Sequence, residues 1–355
     1  MSARAFLKAA TAALALLTVV GCKSIGPRTV QRDRMQYTTA VANSRSEQML
    51  LNIVKSRFAD APAFLEVASV VSGYSLEQGV SLNGQFSPES MRGDTFAAGG
   101  LGVKFTDRPT ISYSPMTGEK FARSLLSPVP LDVLMFVIQG GTPADFLLGL
   151  TVQSIQGHHN LGMFAGQFQS ADPEFTRLLQ LFRALQQGNV SESEIRKEDN
   201  KVEVTIRFHP LDATKAGLAE QLAEAKKILG IPTGLDQVNV VFGTLDTEPG
   251  AIGIRTRSLL QIIGTLGAGV EIPPDDPARG SAFPVDHALV PRGFTVHSGK
   301  DKPTEAFVAV PYEGLWFWID RRDLPSKFAL SVVTLLFNFL EGGGQASPVL
   351  TIPTS

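Results

Sequence analysis

The spacing of apolar side chains changes period several times along this chain, and each change marks an element. Leu50, Ile53, Val54 and Phe58 recur at i, i+3, i+4 and i+8, one stripe of a helix that Tyr37, Val41 and Met49 extend back to about residue 30. Pro62, just past Asp60, supplies a stop. The pattern then turns to β. Phe64, Val67, Val70 and Val71, followed by Tyr74, Leu76, Val80, Leu82 and Phe86, lie in β-branched and aromatic segments punctuated by Gly73, Gly79 and Gly84. Two or three strands are predicted there. Residues 96–115 continue as β, with strand, turn and strand over 105–115.

Helices are predicted at 118–126 and 131–139, the second apolar nearly all round and therefore buried. Gly140-Gly141-Thr142-Pro143 breaks it before a further apolar run to Ile155. Asp172-Pro173-Glu174 opens the clearest helix, with an N-cap carboxylate, proline in the first turn, then Phe175, Leu178, Leu179, Phe182 and Leu185 before Gly188 closes it. Residues 203–208 alternate as a strand, and 213–229 form a helix ending at Gly230 and Pro232. Segments 238–245 and 251–257 read as a hairpin leading into a helix near 258–266. Residues 271–292, rich in Pro, Asp and Gly, read as a long surface loop. Strands at 294–297, 306–310 and 315–319 precede a helix over 324–341. The class expected is α+β, with mixed or antiparallel sheets and packed helices. No fixed-period repeat is present. A weak division around 157–171 separates a region 30–160 from a region 161–355.

The first residues follow another logic. Arg4 and Lys8 precede an apolar run over 9–20 that ends in Val19-Val20-Gly21-Cys22, the layout of a secretory signal peptide. The run is shorter than the about 20 residues a spanning helix needs. Cys22 is the only cysteine, and a lone thiol in an exported chain is accounted for if it carries lipid. With small Gly21 before it, the site resembles a bacterial lipobox, and the stretch from the first helix to about Asn160 resembles uncharacterised Gram-negative envelope lipoproteins. That resemblance implies removal of residues 1–21, cleavage between Gly21 and Cys22, and acylation of the thiol. It also implies outer-membrane sorting facing the periplasm, since Lys23 rather than aspartate follows the cysteine. A short tether, 22–29, reaches only about 20–25 Å, so the folded body is expected close to the membrane.

Charge and composition exclude some partners. The formal charge is −2, and removing Arg4 and Lys8 with the leader takes it to about −4, which argues against nucleic acid. Hydrophobic content of 43% with 19% charged residues is that of a globular protein. With Cys22 lipidated no disulfide can form, so stability must come from the core.

Catalytic patterns are weak. His158, His159, His209, His287 and His297 form no HExxH, and neighbouring His158 and His159 point to opposite faces of any regular strand. No serine stands in Gly-x-Ser-x-Gly, and Ser298-Gly299-Lys300 lacks the Ser-x-x-Lys spacing. Gly99-Gly100-Leu101-Gly102 leads into a strand, where a phosphate loop needs a helix. No cofactor is expected. The acids Asp275 and Asp276 sit in the Pro-rich loop. A membrane-tethered periplasmic hydrolase, with acids distant in sequence, is the alternative function.

The C-terminal third points to contact. Trp316 and Trp318 share one strand face with Phe317 on the other, and residues 328–340 are apolar on every side yet too short to span a bilayer. Trp316, Trp318, Leu336 and Phe339 are the candidate interface residues, for self-association or a protein partner. The expected protein is an outer-membrane lipoprotein serving as a binding or assembly component of the cell envelope, held to the membrane by its N-terminal lipid.

Overall fold

A 32-residue helix, α1 (Gly26–Arg57), is the first element among the described residues. Its apolar stripe is confined to the C-terminal turns, where Met49, Leu50, Ile53 and Val54 are buried, while Met35 is exposed. The computed structural model describes residues 26–71, 74–83, 98–107, 110–164, 167–198, 201–211, 213–243, 250–273, 281–285 and 293–341. The expected signal peptide, Gly21, Cys22 and Lys23 lie outside them, as do His287, Asp275 and Asp276. The chain divides into two compact units, Met1–Ala42 with Glu66–Ser114 and Ser347–Ser355, and Asn43–Leu65 with Pro115–Ala346.

In the first unit the chain doubles back once. Strand β1 (Leu65–Val71) pairs with β4 (Thr110–Pro115), and β2 (Tyr74–Asn83) pairs with β3 (Ala98–Asp107). The β2–β3 pair is antiparallel over ten register positions, from Tyr74↔Asp107 to Asn83↔Ala98. The Gly99–Gly102 run is therefore strand, as its sequence context predicts.

The second unit holds the core. A six-stranded sheet runs in the order β6-β5-β12-β11-β10-β9, formed by β5 (Val152–Ile155), β6 (His158–His159), β9 (Ser191–Glu198), β10 (Lys201–Phe208), β11 (Gln237–Phe242) and β12 (Ala251–Thr256). The strands β11 and β12, expected as a hairpin, run parallel, with Asn239 beside Ala251 and Phe242 beside Ile254. Burial explains their place: Ile252, Gly253 and Ile254 are covered on both faces, as a central parallel strand requires. Strands on either side of residue 160 share this sheet, so the weak division expected at 157–171 falls inside one unit.

Helices α2 (Gly118–Leu126), α3 (Leu131–Gln139), α4 (Ala144–Thr151), α5 (Pro173–Gln187), α6 (Ala216–Ile228), α7 (Leu259–Gly267) and α8 (Leu324–Glu341) belong to the same unit, with a three-stranded sheet near its C-terminal end. A short hairpin, β7 (Gly162–Phe164) with β8 (Gln167–Gln169), lies between β6 and α5. The fold is α+β, with mixed and antiparallel sheets.

One expectation about caps needs correction. Asp172 stands at the N-cap of α5 but does not cap it, because its carboxylate accepts the backbone N–H of His159 at 2.6 Å. That bond ties the helix start to the sheet edge. Gly188 closes α5 as expected, with an ordinary φ of −79°, and Asn189 after it turns left-handed, at φ 49°. By contrast, Ser258 and Gln261 of α7 form a full capping box.

The buried end of α1 is fixed by side-chain amides. Asn52, itself buried, exchanges two bonds with the backbone of Ala63 at 2.8 and 2.9 Å, and Gln48 does the same with Leu65 one turn earlier, at 2.8 and 3.2 Å. Each amide supplies one donor and one acceptor, as a neighbouring strand would.

Candidate functional site

The C-terminal sheet and α8 carry the residues the sequence selects. Strands β13 (His297–Gly299), β15 (Leu315–Asp320) and β14 (Ala306–Tyr312) lie in that order. The alternation along β15 is complete: Leu315, Phe317 and Ile319 are buried, whereas Trp316 and Trp318 are half-buried on the opposite face. That second face is partly covered from within the chain. The Lys302 ammonium lies 5.1 Å from the Trp316 ring centre. Trp318 lies beside His297, with ring centres 5.8 Å apart, and over Gly299, where an added Cβ would sit 3.3 Å from it. His297 Nδ1 pairs with Glu271 Oε2 at 2.9 Å.

Helix α8 separates the other two candidates. Leu336 is 1% exposed and packs in the core with Leu330, Val333 and Phe337, so it is a core residue and not part of a contact surface. Phe339 is 57% exposed. Leu324, Phe328 and Leu335 are exposed as well, and these four recur at intervals of four, seven and four residues. On a 3.6-residue helix they fall on one stripe, with Ser331 between them. Phe328 packs against the Phe146 ring, with centres 4.9 Å apart. The helix is apolar on every side, as its sequence predicts, but only one side is used by the core.

The same unit offers a complementary feature, which the sequence did not single out. A cleft of about 580 Å3 opens between residues 128–132 and the sheet. Its lining includes Val202, Val241 and Phe242, exposed at 46%, 39% and 56%. Alternation along β11 accounts for Val241, which lies on the face opposite buried Val238 and Val240, but not for Phe242, which shares their parity and is exposed at the strand's end.

A second, more enclosed cavity of about 410 Å3 lies between the sheet and helices α3 to α6. Phe182, Leu185, Ile206, Ile252 and Ile254 are among its walls, and Glu192 and Lys226 are its titratable groups. Lys226 is 7% exposed; its ammonium donates to the Leu235 carbonyl at 2.6 Å and lies 4.5 Å from the Phe208 ring centre. Burial lowers its pKa from the ordinary lysine value, partly opposed by Asp236. Such a chamber suits an apolar guest bearing a hydrogen-bond acceptor. It offers no nucleophile–base pair among its described walls.

The described histidines stay apart from such chemistry. His158 and His159 occupy successive positions of β6, with His158 Nε2 3.4 Å from the Ile228 carbonyl. Among the described residues, no three His, Cys, Asp or Glu side chains gather to hold a metal. No described helix is long and apolar enough to cross a membrane. Comparison with protein-family models, with curated proteins and with solved structures finds no match.

Proposed function

We propose that this chain is a lipid-anchored component of the outer membrane, facing the periplasm, that assembles with further copies of itself. The exposed α8 stripe carries the reading. An exposed apolar helix face and a largely apolar cleft lie on the same unit. Contiguous exposed apolar patches, unlike scattered single residues, mark contact sites. A stripe on one copy seated in the cleft of the next is a head-to-tail contact, which builds rings when the rotation closes. Acylation at Cys22, followed by Lys23, supplies the membrane attachment and the sorting. The alternative is a membrane-tethered periplasmic hydrolase with acids distant in sequence.

Light scattering on the body beginning at Lys23 tests the contact. The wild type should associate as its concentration rises. Phe339→Asp, on the stripe, and Phe242→Asp, in the cleft, should each give a folded monomer by circular dichroism. Mixing these two variants should restore a dimer that grows no further, because each retains one half of the contact. Leu336→Asp should instead unfold the unit, since it buries a charge in the core. A wild type that remains monomeric throughout overturns the reading.

A further inference from the structure

The first unit contains strands that its own described residues leave incomplete. Each of its sheets has two strands, so β1, β2, β3 and β4 all keep an edge unpaired among the described residues. Isolated two-stranded sheets are marginal in water, and open edges invite pairing with another chain. On β4, Ile111 and Tyr113 share a face and are 41% and 57% exposed.

The β2–β3 register sorts the sequence into two kinds of position. Leu76↔Phe105, Gln78↔Val103 and Val80↔Leu101 alternate with Glu77↔Lys104, Gly79↔Gly102 and Ser81↔Gly100. The first set is apolar apart from Gln78, with Tyr74↔Asp107 at one end. The second set is small or polar, and its one acid stands directly across from its one base. This dyad alternation is that of a strand pair between lipid and water. Length agrees: ten residues at about 3.3 Å make ~33 Å, which at a tilt of about 40° spans ~25 Å, the height of a transmembrane barrel's apolar band. A single pair cannot enter a bilayer, because its edges would carry unsatisfied N–H and C=O groups; only closure removes them.

We infer that β2 and β3 from several copies join edge to edge into one closed transmembrane barrel, with the Leu76, Val80, Leu101, Val103 and Phe105 positions toward lipid and the Glu77 and Lys104 positions toward the lumen. Each copy contributes two strands, and the smallest such barrels have about eight, so at least about four copies are required. The inference rests on the proposed association of copies, which raises the local concentration of these strands through the covalent chain. It goes beyond that reading in giving the assembly a pore.

The test uses the full lipidated chain added to vesicles of phosphatidylethanolamine and phosphatidylglycerol loaded with carboxyfluorescein. The wild type should release the dye. Two variants place the same charge on opposite faces: Leu101→Asp should reduce release at least tenfold, whereas Ser81→Asp should retain it. In planar bilayers of the same lipids, Glu77→Lys should shift the reversal potential toward anion selectivity. Far-ultraviolet circular dichroism and thermal unfolding confirm that each variant is folded. Absence of wild-type release, equal release by the two aspartate variants, or an unmoved reversal potential overturns the barrel. Light scattering of the body reports the α8 contact separately, so association without release sinks the barrel alone.

Discussion

Arg257 is 3% exposed, yet it faces backbone carbonyls in place of a carboxylate. Its guanidinium donates to Gly149 at 3.2 Å and Leu150 at 2.9 Å, at the C-terminal end of α4, and to the Leu161 carbonyl. Helix ends leave carbonyls without intrahelical partners and carry partial negative charge, so a buried cation there satisfies both needs. Burial pushes its pKa down to about 10, which still leaves it charged at neutral pH. The residue is held by its main chain too, with N–H to Thr151 at 2.7 Å and C=O accepting from Val129 at 2.9 Å. Replacing Arg257 with Met removes all three side-chain hydrogen bonds, two from Nη1 and one from Nη2. Gly149 keeps Asn160 as a second donor at 2.7 Å, but the bonds from Arg257 to the Leu150 and Leu161 carbonyls are lost. We expect Arg257→Met to cost about 2–6 kcal/mol in urea unfolding, at 1–3 kcal/mol for each of the two unsatisfied carbonyls. Sequence gives no hint of this role, because the carbonyls it serves lie about a hundred residues away.

Elements were legible where one face is buried and one is not. Helices at 118–126, 131–139 and 324–341 have the bounds their periodicity indicates. The parallel pairing of β11 and β12 was not legible, because a period of two is silent on strand direction. Strand β9 was missed for a different reason. Ser191–Glu198 has Ile195 as its only large apolar residue, and it forms the charged edge of the sheet. The register holds Glu194 opposite Thr205, and Glu194 accepts from Arg207 at 3.0 Å. The apolar helix α8 was legible as a helix but not as two faces, since sequence alone cannot tell which side the core takes. Close packing after α7 has a similarly hidden cause. A Cβ at Gly269 would sit 2.5 Å from the Phe294 carbonyl oxygen, where Val270 and Val296 form a bridge. Gly264, inside α7, has nothing within 4 Å. Gly269→Ala should therefore destabilise by about 1–3 kcal/mol. Gly264→Ala should stabilise by up to about 1 kcal/mol. Thermal unfolding of the two variants checks the pair, and equal effects would show that the contact at Gly269 relaxes freely.

At the scale of the whole molecule, attachment is the property on which the functional reading depends. The chain has one cysteine, so if Cys22 is acylated the mature protein has no free thiol and no disulfide. Burial of acyl chains at about 0.8 kcal/mol per CH2 makes a multiply acylated terminus a lasting anchor, whereas one chain alone binds reversibly. Serine at position 22 cannot form the thioether that carries the lipid, although it preserves size and polarity. Cys22→Ser should therefore leave the outer-membrane fraction and accumulate as uncleaved precursor or soluble product. Labelling with a radioactive fatty acid should mark the wild type and not the variant. Two results separate the anchor from the proposed barrel. A variant that loses the label but resists a high-salt wash is held by its strands, and one that loses both was held by lipid. A wild type that takes up no label ends the lipoprotein reading, whatever its strands do.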